Sequence, residues 1–125
     1  MEAKGRNHIT GKKGEELAVQ HLKKAGIKIL ALNYRHSRWG EIDIIAQEKD
    51  TLIFCEVKTR TTTNYGHPLE SISRHKIGQI HKTALSYLSE NPSLKYKGMR
   101  FDAVAVILGR EGKPEIVHYK DVFQF

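Results

Sequence analysis

The sequence predicts an α/β sandwich built around a mixed central sheet flanked by helices. Two stretches, residues 14–25 and 69–88, carry apolar side chains at helical spacing. Five β-rich runs lie between and after them, so the order reads α-β-β-β-α-β-β, and helices and strands arranged this way cover a sheet. At 125 residues the chain is long enough for one core and too short for two.

Each element has its own signal. Residues 1–11 read as a flexible basic arm, and 12–125 as a single domain. Leu17, Ala18, Leu22 and Ala25 mark the first helix, and Gly26 is its stop. Residues 27–32 form a short apolar strand, and NYRHSRWG (33–40) reads as a loop with two arginines, a histidine and two aromatics. Residues 41–46 and 52–59 are β-rich runs around a polar turn, the pattern of a hairpin. RTTTNYGHP (60–68) is a loop. Leu69, Ile72, Ile77, Ile80, Ala84 and Leu88 mark the second helix, which ends before Asn91-Pro92. Residues 99–108 are the most apolar strand and 116–119 a last one.

Composition excludes several classes. Hydrophobic residues at 39% and charged residues at 28% rule out whole-chain disorder. No apolar run approaches the ~18–20 residues of a membrane span, so no membrane partner is expected. Residues 1–14 are polar and basic, unlike a secretory signal. Cys55, the single cysteine, makes neither an internal disulfide nor a Cys-rich zinc site, and the expected setting is a reduced cytoplasm. Seven histidines occur without HExxH or a close cluster, so no zinc is expected. There is no phosphate-binding Gly-x-x-x-x-Gly-Lys-Ser/Thr, hence no sign of ATP use. A net charge of +7 raises nucleic acid as a partner, although many small basic proteins are merely soluble.

Chemistry concentrates in GEIDII (40–45) and FCEVK (54–58). Strand side chains alternate, so Glu41, Asp43 and Ile45 share one face, and Leu52, Phe54, Glu56 and Lys58 another. If the hairpin turns at Lys49-Asp50, Asp43 falls opposite Glu56 and Glu41 opposite Lys58. Adjacent carboxylates repel unless a divalent cation lies between them, and Mg²⁺ suits a few carboxylate oxygens plus water and substrate phosphate. Such an ion polarises a phosphoryl group and activates water, while Lys58 orients or deprotonates that water or stabilises transition-state charge. An ordinary cross-strand ion-pair set is the plainer reading. The flanking Ile-Ile and Leu-Ile-Phe argue against it, because they make these strands look buried.

At roughly 100° per residue, Glu15 falls within ~20° of Leu22 on the inward arc of the first helix, while Glu16 faces water. Glu15 can therefore help complete a metal site or simply favour the helix dipole.

The segments GKKGEELAVQHL, NYRHSRWGEIDIIA, LIFCEVKTR and RFDAVAV, in this order, resemble the YraN family of bacterial proteins, from about residue 11 to 106. That family is assigned to the PD-(D/E)-x-K nuclease-like superfamily and is similar to archaeal Holliday-junction resolvases. The resemblance implies a restriction-endonuclease-like α-β-β-β-α-β core. It carries the metal-binding aspartate onto Asp43, the glutamate onto Glu56, the lysine onto Lys58 and the helical glutamate of Gly-x-x-Gly-Glu onto Glu15. Ile42 stands where the superfamily name has proline. Two-strand cutting in such enzymes usually involves a dimer, so a homodimer is an expectation, with no patch of the sequence marking its face.

Around this site, Arg35 and Arg38 are candidate phosphate contacts, and Tyr34 or Trp39 could stack on a base or wedge a junction. A solvated loop with Trp39 tucked into the core is the plainer alternative. Arg60 and Tyr65 could line the substrate cleft. Lys76 and Gln79 are read as surface residues rather than supporting contacts, and Asp102 as a strand-end carboxylate bonded to a loop. Cys55 alternates away from Glu56 and reads as core.

The expected function is a Mg²⁺-dependent DNA endonuclease, with Mn²⁺ as a substitute ion, that hydrolyses phosphodiesters through metal-activated water. Glu15, Asp43, Glu56 and Lys58 carry the catalysis, and Asp43, Glu56 and Glu15 bind the metal. Branched or junction DNA is the structure-selective substrate that the resolvase likeness implies. The alternative is a non-catalytic nucleic-acid-binding module on the same scaffold.

Overall fold

The structure is a computed structural model describing residues 2–61, 72–109 and 113–122, with 2–10 as backbone alone. Its elements are α1 (Glu2–Lys24), β1 (Lys28–His36), β2 (Gly40–Glu48), β3 (Thr51–Arg60), α2 (Arg74–Glu90), β4 (Gly98–Ile107) and β5 (Glu115–Tyr119). The sheet order is β1-β2-β3-β4-β5. Pairing is antiparallel except between β3 and β4, which run parallel because α2 carries the chain across between them. This is the mixed α/β sandwich that the element order predicts.

Each face of the sheet has its own core. On one, Ala18 and Leu22 of α1 pack with Ile44, Ala46, Ile53, Cys55, Val104 and Val106. On the other, Ile80, Ala84 and Tyr87 of α2 pack with Ile45, Leu52, Phe54, Phe101 and Ala103. With both faces covered, β3 reads as a nearly continuous apolar run until Glu56 interrupts it.

The β2–β3 hairpin turns at Lys49-Asp50, and its pairs run from Glu48↔Thr51 to Ile44↔Cys55, the predicted register. Lys49 has φ 53°, the left-handed conformation a two-residue hairpin turn asks for. Alternation holds in β3 but breaks in β2. Ile42 and Ile45, three positions apart, both join the α2-side core. The ladder ends at Ile44↔Cys55, and one residue further on the Asp43 side chain takes the Val57 N–H at 2.8 Å. Ile45 therefore does not share a face with the Asp43 carboxylate, contrary to simple alternation.

Three boundaries also differ from the sequence reading. The backbone of α1 is helical from Glu2, through a stretch expected to be an arm; that stretch is polar, so apolar spacing has nothing to register there. Residues 33–36 extend β1 instead of opening a loop, because Tyr34, Arg35 and His36 pair with Ile42, Glu41 and Gly40. The polar side chains fit there because β1 is an edge strand. The second helix starts at Arg74, after Ser73 caps it by accepting the Lys76 N–H at 3.1 Å. Ile72 and Ile77, which flank that cap, both belong to the α2-side core, as in a hydrophobic staple. Leu69 lies outside the described residues. No described helix is long and apolar enough to cross a membrane.

Candidate functional site

At the end of the sheet where β2 begins and β3 finishes, a cleft of about 970 Å³ opens toward α1. Its lining includes Glu15, Asp43, Glu56 and Lys58, so the structure brings all four predicted catalytic residues to one cavity.

Two elements and one glycine place Glu15. The apolar arc of α1 sits on the sheet and carries Glu15 inward, while buried Gly14 lets the helix approach β3 at Thr59. Glu15, Glu41 and Asp43 each offer a carboxylate oxygen within 4.8 Å of the others. Glu56 is outside this trio, on the flank of the cleft nearer α2. The Nζ atoms of Lys58 and of Lys76 in α2 each lie 3.8 Å from its Oε1.

Three carboxyl groups respond to this crowding. Burial raises Glu15 to about 7, assisted by the charges of Asp43 and Glu41 and by a hydrogen bond with Asp43. Asp43 is raised chiefly by burial, against the Val57 N–H that favours its charged form. Glu56 is raised to about 7 by burial and by Asp43, with Lys76 and Lys58 pulling the other way. Hard oxygen donors gathered at such a cost to their ionised forms suit a divalent cation of the Mg²⁺ or Mn²⁺ type. Glu15, Glu41 and Asp43 could hold it directly, with Glu56 on the adjoining wall.

Sequence reasoning did not put Glu41 among the ligands, although period-two spacing from Asp43 carried the signal. It missed Asn33 altogether. That residue sits at φ 51°, a conformation asparagine tolerates. With its amide nitrogen turned toward the carboxylates, it donates to Glu41 Oε1 at 2.8 Å and Glu15 Oε1 at 2.9 Å. No spacing rule reaches this bridge, because strand β1 and helix α1 meet only in the fold. Lys76, read as a surface residue, contacts Glu56.

The nucleic-acid candidates divide. Arg35 and Arg60 line the cleft with Lys12, and Arg35 pairs with Glu41 at 3.1 Å. Arg38 and Trp39 sit on the β1–β2 turn, outside the cleft lining. The Trp39 ring is half-buried and stacked near His36, with Lys82 Nζ of α2 4.3 Å from its centroid. It therefore ties the turn to α2. Tyr65 lies outside the described residues. Asp102 is fully buried and accepts the Asp121 N–H at 2.9 Å, the loop bond expected of it.

Relatives share this sequence over most of its length. A protein of Syntrophomonas wolfei is 40% identical over 94% of this chain and 99% of its own. One from Rhodococcus opacus is 42% identical over 94% and 98%, and one from Persephonella marina 42% identical over 92% and 93%. All three carry the description UPF0102 protein. The family described as uncharacterised protein family UPF0102 matches residues 14–106, which include Glu15, Asn33, Glu41, Asp43, Glu56 and Lys58. With the motifs agreeing on the YraN resemblance, this chain belongs to the UPF0102 family.

Proposed function

We propose that this protein is a Mg²⁺-dependent endonuclease that hydrolyses phosphodiesters of DNA, with branched or junction DNA as its structure-selective target. One observation carries the reading: an acidic cluster of Glu15, Glu41 and Asp43 shares its cleft with Lys12, Arg35, Lys58 and Arg60. Acidic groups suit a cation, and the cationic rim suits a polyanion. A cleft with both suits a phosphodiester bridged to a divalent ion.

The ion, when bound, polarises the phosphodiester and lowers the pKa of an attacking water. The chain's own residues supply the rest. Glu15, Glu41 and Asp43 would hold the ion, and Asn33 keeps the first two in place. Lys58 offers positive charge to the oxygens that gain negative charge in the transition state. Arg35 and Arg60 position the strand through its phosphates, which orient without reading sequence. Water oxygen forms the new bond to phosphorus and gives up a proton to solvent, while the P–O bond to the opposite ester oxygen breaks and that oxygen takes a proton from solvent.

The test is cleavage of labelled linear and four-way-junction DNA with Mg²⁺, Mn²⁺ or EDTA, comparing wild type with Asp43→Ala and Lys58→Ala. Metal-dependent cutting lost in both variants supports the proposal. Cutting that persists in both removes the proposed site. Tight DNA binding with no metal-dependent cutting would instead identify a binding module on this scaffold.

A further inference from the structure

We propose that a groove between α1 and the edge strand β1 is a single-strand channel, which leads an unpaired arm of DNA away from the carboxylates. This rests on the nuclease reading of the cleft and deepens it by naming the substrate class. The class is branched DNA with a free single strand, such as a fork or flap, in preference to a junction with every arm paired.

The groove holds about 380 Å³ and is continuous with the cleft, because Lys12, Glu15, Asn33 and Asp43 border both. The packing of α1 explains why it is open. Ala18 and Leu22 are fully buried against β2, β3 and β4, so the helix sits over the middle of the sheet. Leu32 of β1 pairs with Ile44, a residue of that same core, and so stands on the face that α1 covers. The helix does not reach it, and Leu32 is left 51% exposed. Between Leu32 and half-buried Val19 of α1, the groove therefore has an apolar middle.

Its chemistry alternates in the way a single strand does. Lys12 stands at the cleft end and Lys23 at the far end, roughly 16 Å apart along the helix at about 1.5 Å per residue. An ammonium at each end suits a phosphate, and the apolar stretch between them suits the face of an unstacked base. Gln20 adds an amide that both donates and accepts, and Glu16 only accepts, which suits an exocyclic base amine. The volume is on the scale of a single small-ligand pocket, enough for a nucleotide and too little for a duplex. A strand whose phosphate lies at the carboxylates must leave the cleft on some path. This groove offers one that only an unpaired strand can follow.

The test uses the full chain, with Ca²⁺ in place of Mg²⁺, and three labelled DNAs: a fork with one unpaired arm, a linear duplex and a fully paired four-way junction. Wild type should bind the fork about tenfold more tightly than either paired DNA. Lys23→Gln and Leu32→Ser should each weaken fork binding about three- to tenfold and leave the paired DNAs and Mn²⁺ affinity unchanged. Lys23→Gln should also flatten the log–log salt slope of fork binding by about 0.7, the share of one phosphate on a single strand. Lys24→Gln, beside Lys23 but outside the groove lining, is the charge control and should leave fork binding as in wild type. Equal binding of fork and duplex by wild type, or equal losses in Lys23→Gln and Lys24→Gln, overturns the channel. So does a change from dimer to monomer in Leu32→Ser with fork binding intact, which would put a second copy in the groove. Fork preference without metal-dependent cutting removes the nuclease reading alone, whereas metal-dependent cutting of fork and duplex alike removes the channel alone.

Discussion

Gly14 of α1 lies so close to Thr59 of β3 that a methyl group at Gly14 would run into the Thr59 hydroxyl. This approach lets the helix seat on the sheet and aims the next residue, Glu15, at Asp43. Gly14→Ala should therefore destabilise the fold by about 1–3 kcal/mol, as overpacking does. It should also weaken Mn²⁺ binding by shifting Glu15. Thr59→Ala in the same chain relieves part of the clash, so the two changes are non-additive. Urea unfolding of the two single variants and the double variant checks the sign of that coupling.

Asn33 makes a second testable relationship, because its amide joins Glu15 to Glu41 while its backbone stays left-handed. Asn33→Asp replaces a donor with another carboxylate. The expected result is a lower Tm in EDTA and a larger rise in Tm on adding Mg²⁺ than wild type shows. Asn33→Gly relaxes the backbone and deletes the bridge, so it should weaken Mn²⁺ binding without the loss of Tm caused by the aspartate. Equal metal-induced shifts in all three proteins would remove Asn33 from the site.

Glu15 and Glu56 both stand at about 7 in the fold against an ordinary 4.5. A carboxyl group raised in the folded state stabilises the fold fully below its unfolded value, and that contribution is lost as pH rises through the folded value. In EDTA, Tm should thus fall between about pH 5 and about pH 8. Saturating Mg²⁺ should flatten the fall, since the cation substitutes for the protons. Melting curves across this range, with and without metal, decide the matter: a flat profile in EDTA contradicts the crowded cluster.

Away from the cleft, Asp102 is fully buried. It accepts Arg100 Nε at 3.0 and 3.2 Å and lies 2.7 Å from His118 Nε2. These partners and the Asp121 N–H hold its carboxyl below the usual range, although burial opposes them. Asp102→Ala would leave the Arg100 guanidinium with Glu48, 3.1 Å away, as its carboxylate partner, at a cost of about 1.5–3 kcal/mol for the lost charged hydrogen bonds. Mn²⁺ affinity should be unchanged, because Asp102 takes no part in lining the cleft. Chemical denaturation beside calorimetry separates the two effects.

Much of this molecule is legible in its one-dimensional pattern. Helical spacing and period-two alternation gave the element order, and the turn at Lys49-Asp50 gave a hairpin register that the sheet reproduces. Periodicity works there because burial on a sheet or helix face imposes it. The inward placement of Glu15 was readable for the same reason: the angle to Leu22 is a property of the helix alone. The polar part of α1 and residues 33–36 of β1 were not readable, since neither stretch repeats apolar residues at a regular spacing in the sequence.

The cleft itself needed the fold. Asp43 leaves the simple alternation of β2 because its carboxylate replaces a ladder bond at Val57, which depends on where β3 lies. Glu41, Asn33 and Lys76 reach the site from β2, β1 and α2, and their grouping depends on distances between elements that no local spacing encodes. The chain alone determined which residue types are available and which face each helix or strand presents. Only packing two helices on opposite faces of one sheet decided which carboxylates meet, because charge crowding, burial and hydrogen bonding act across space and not along sequence.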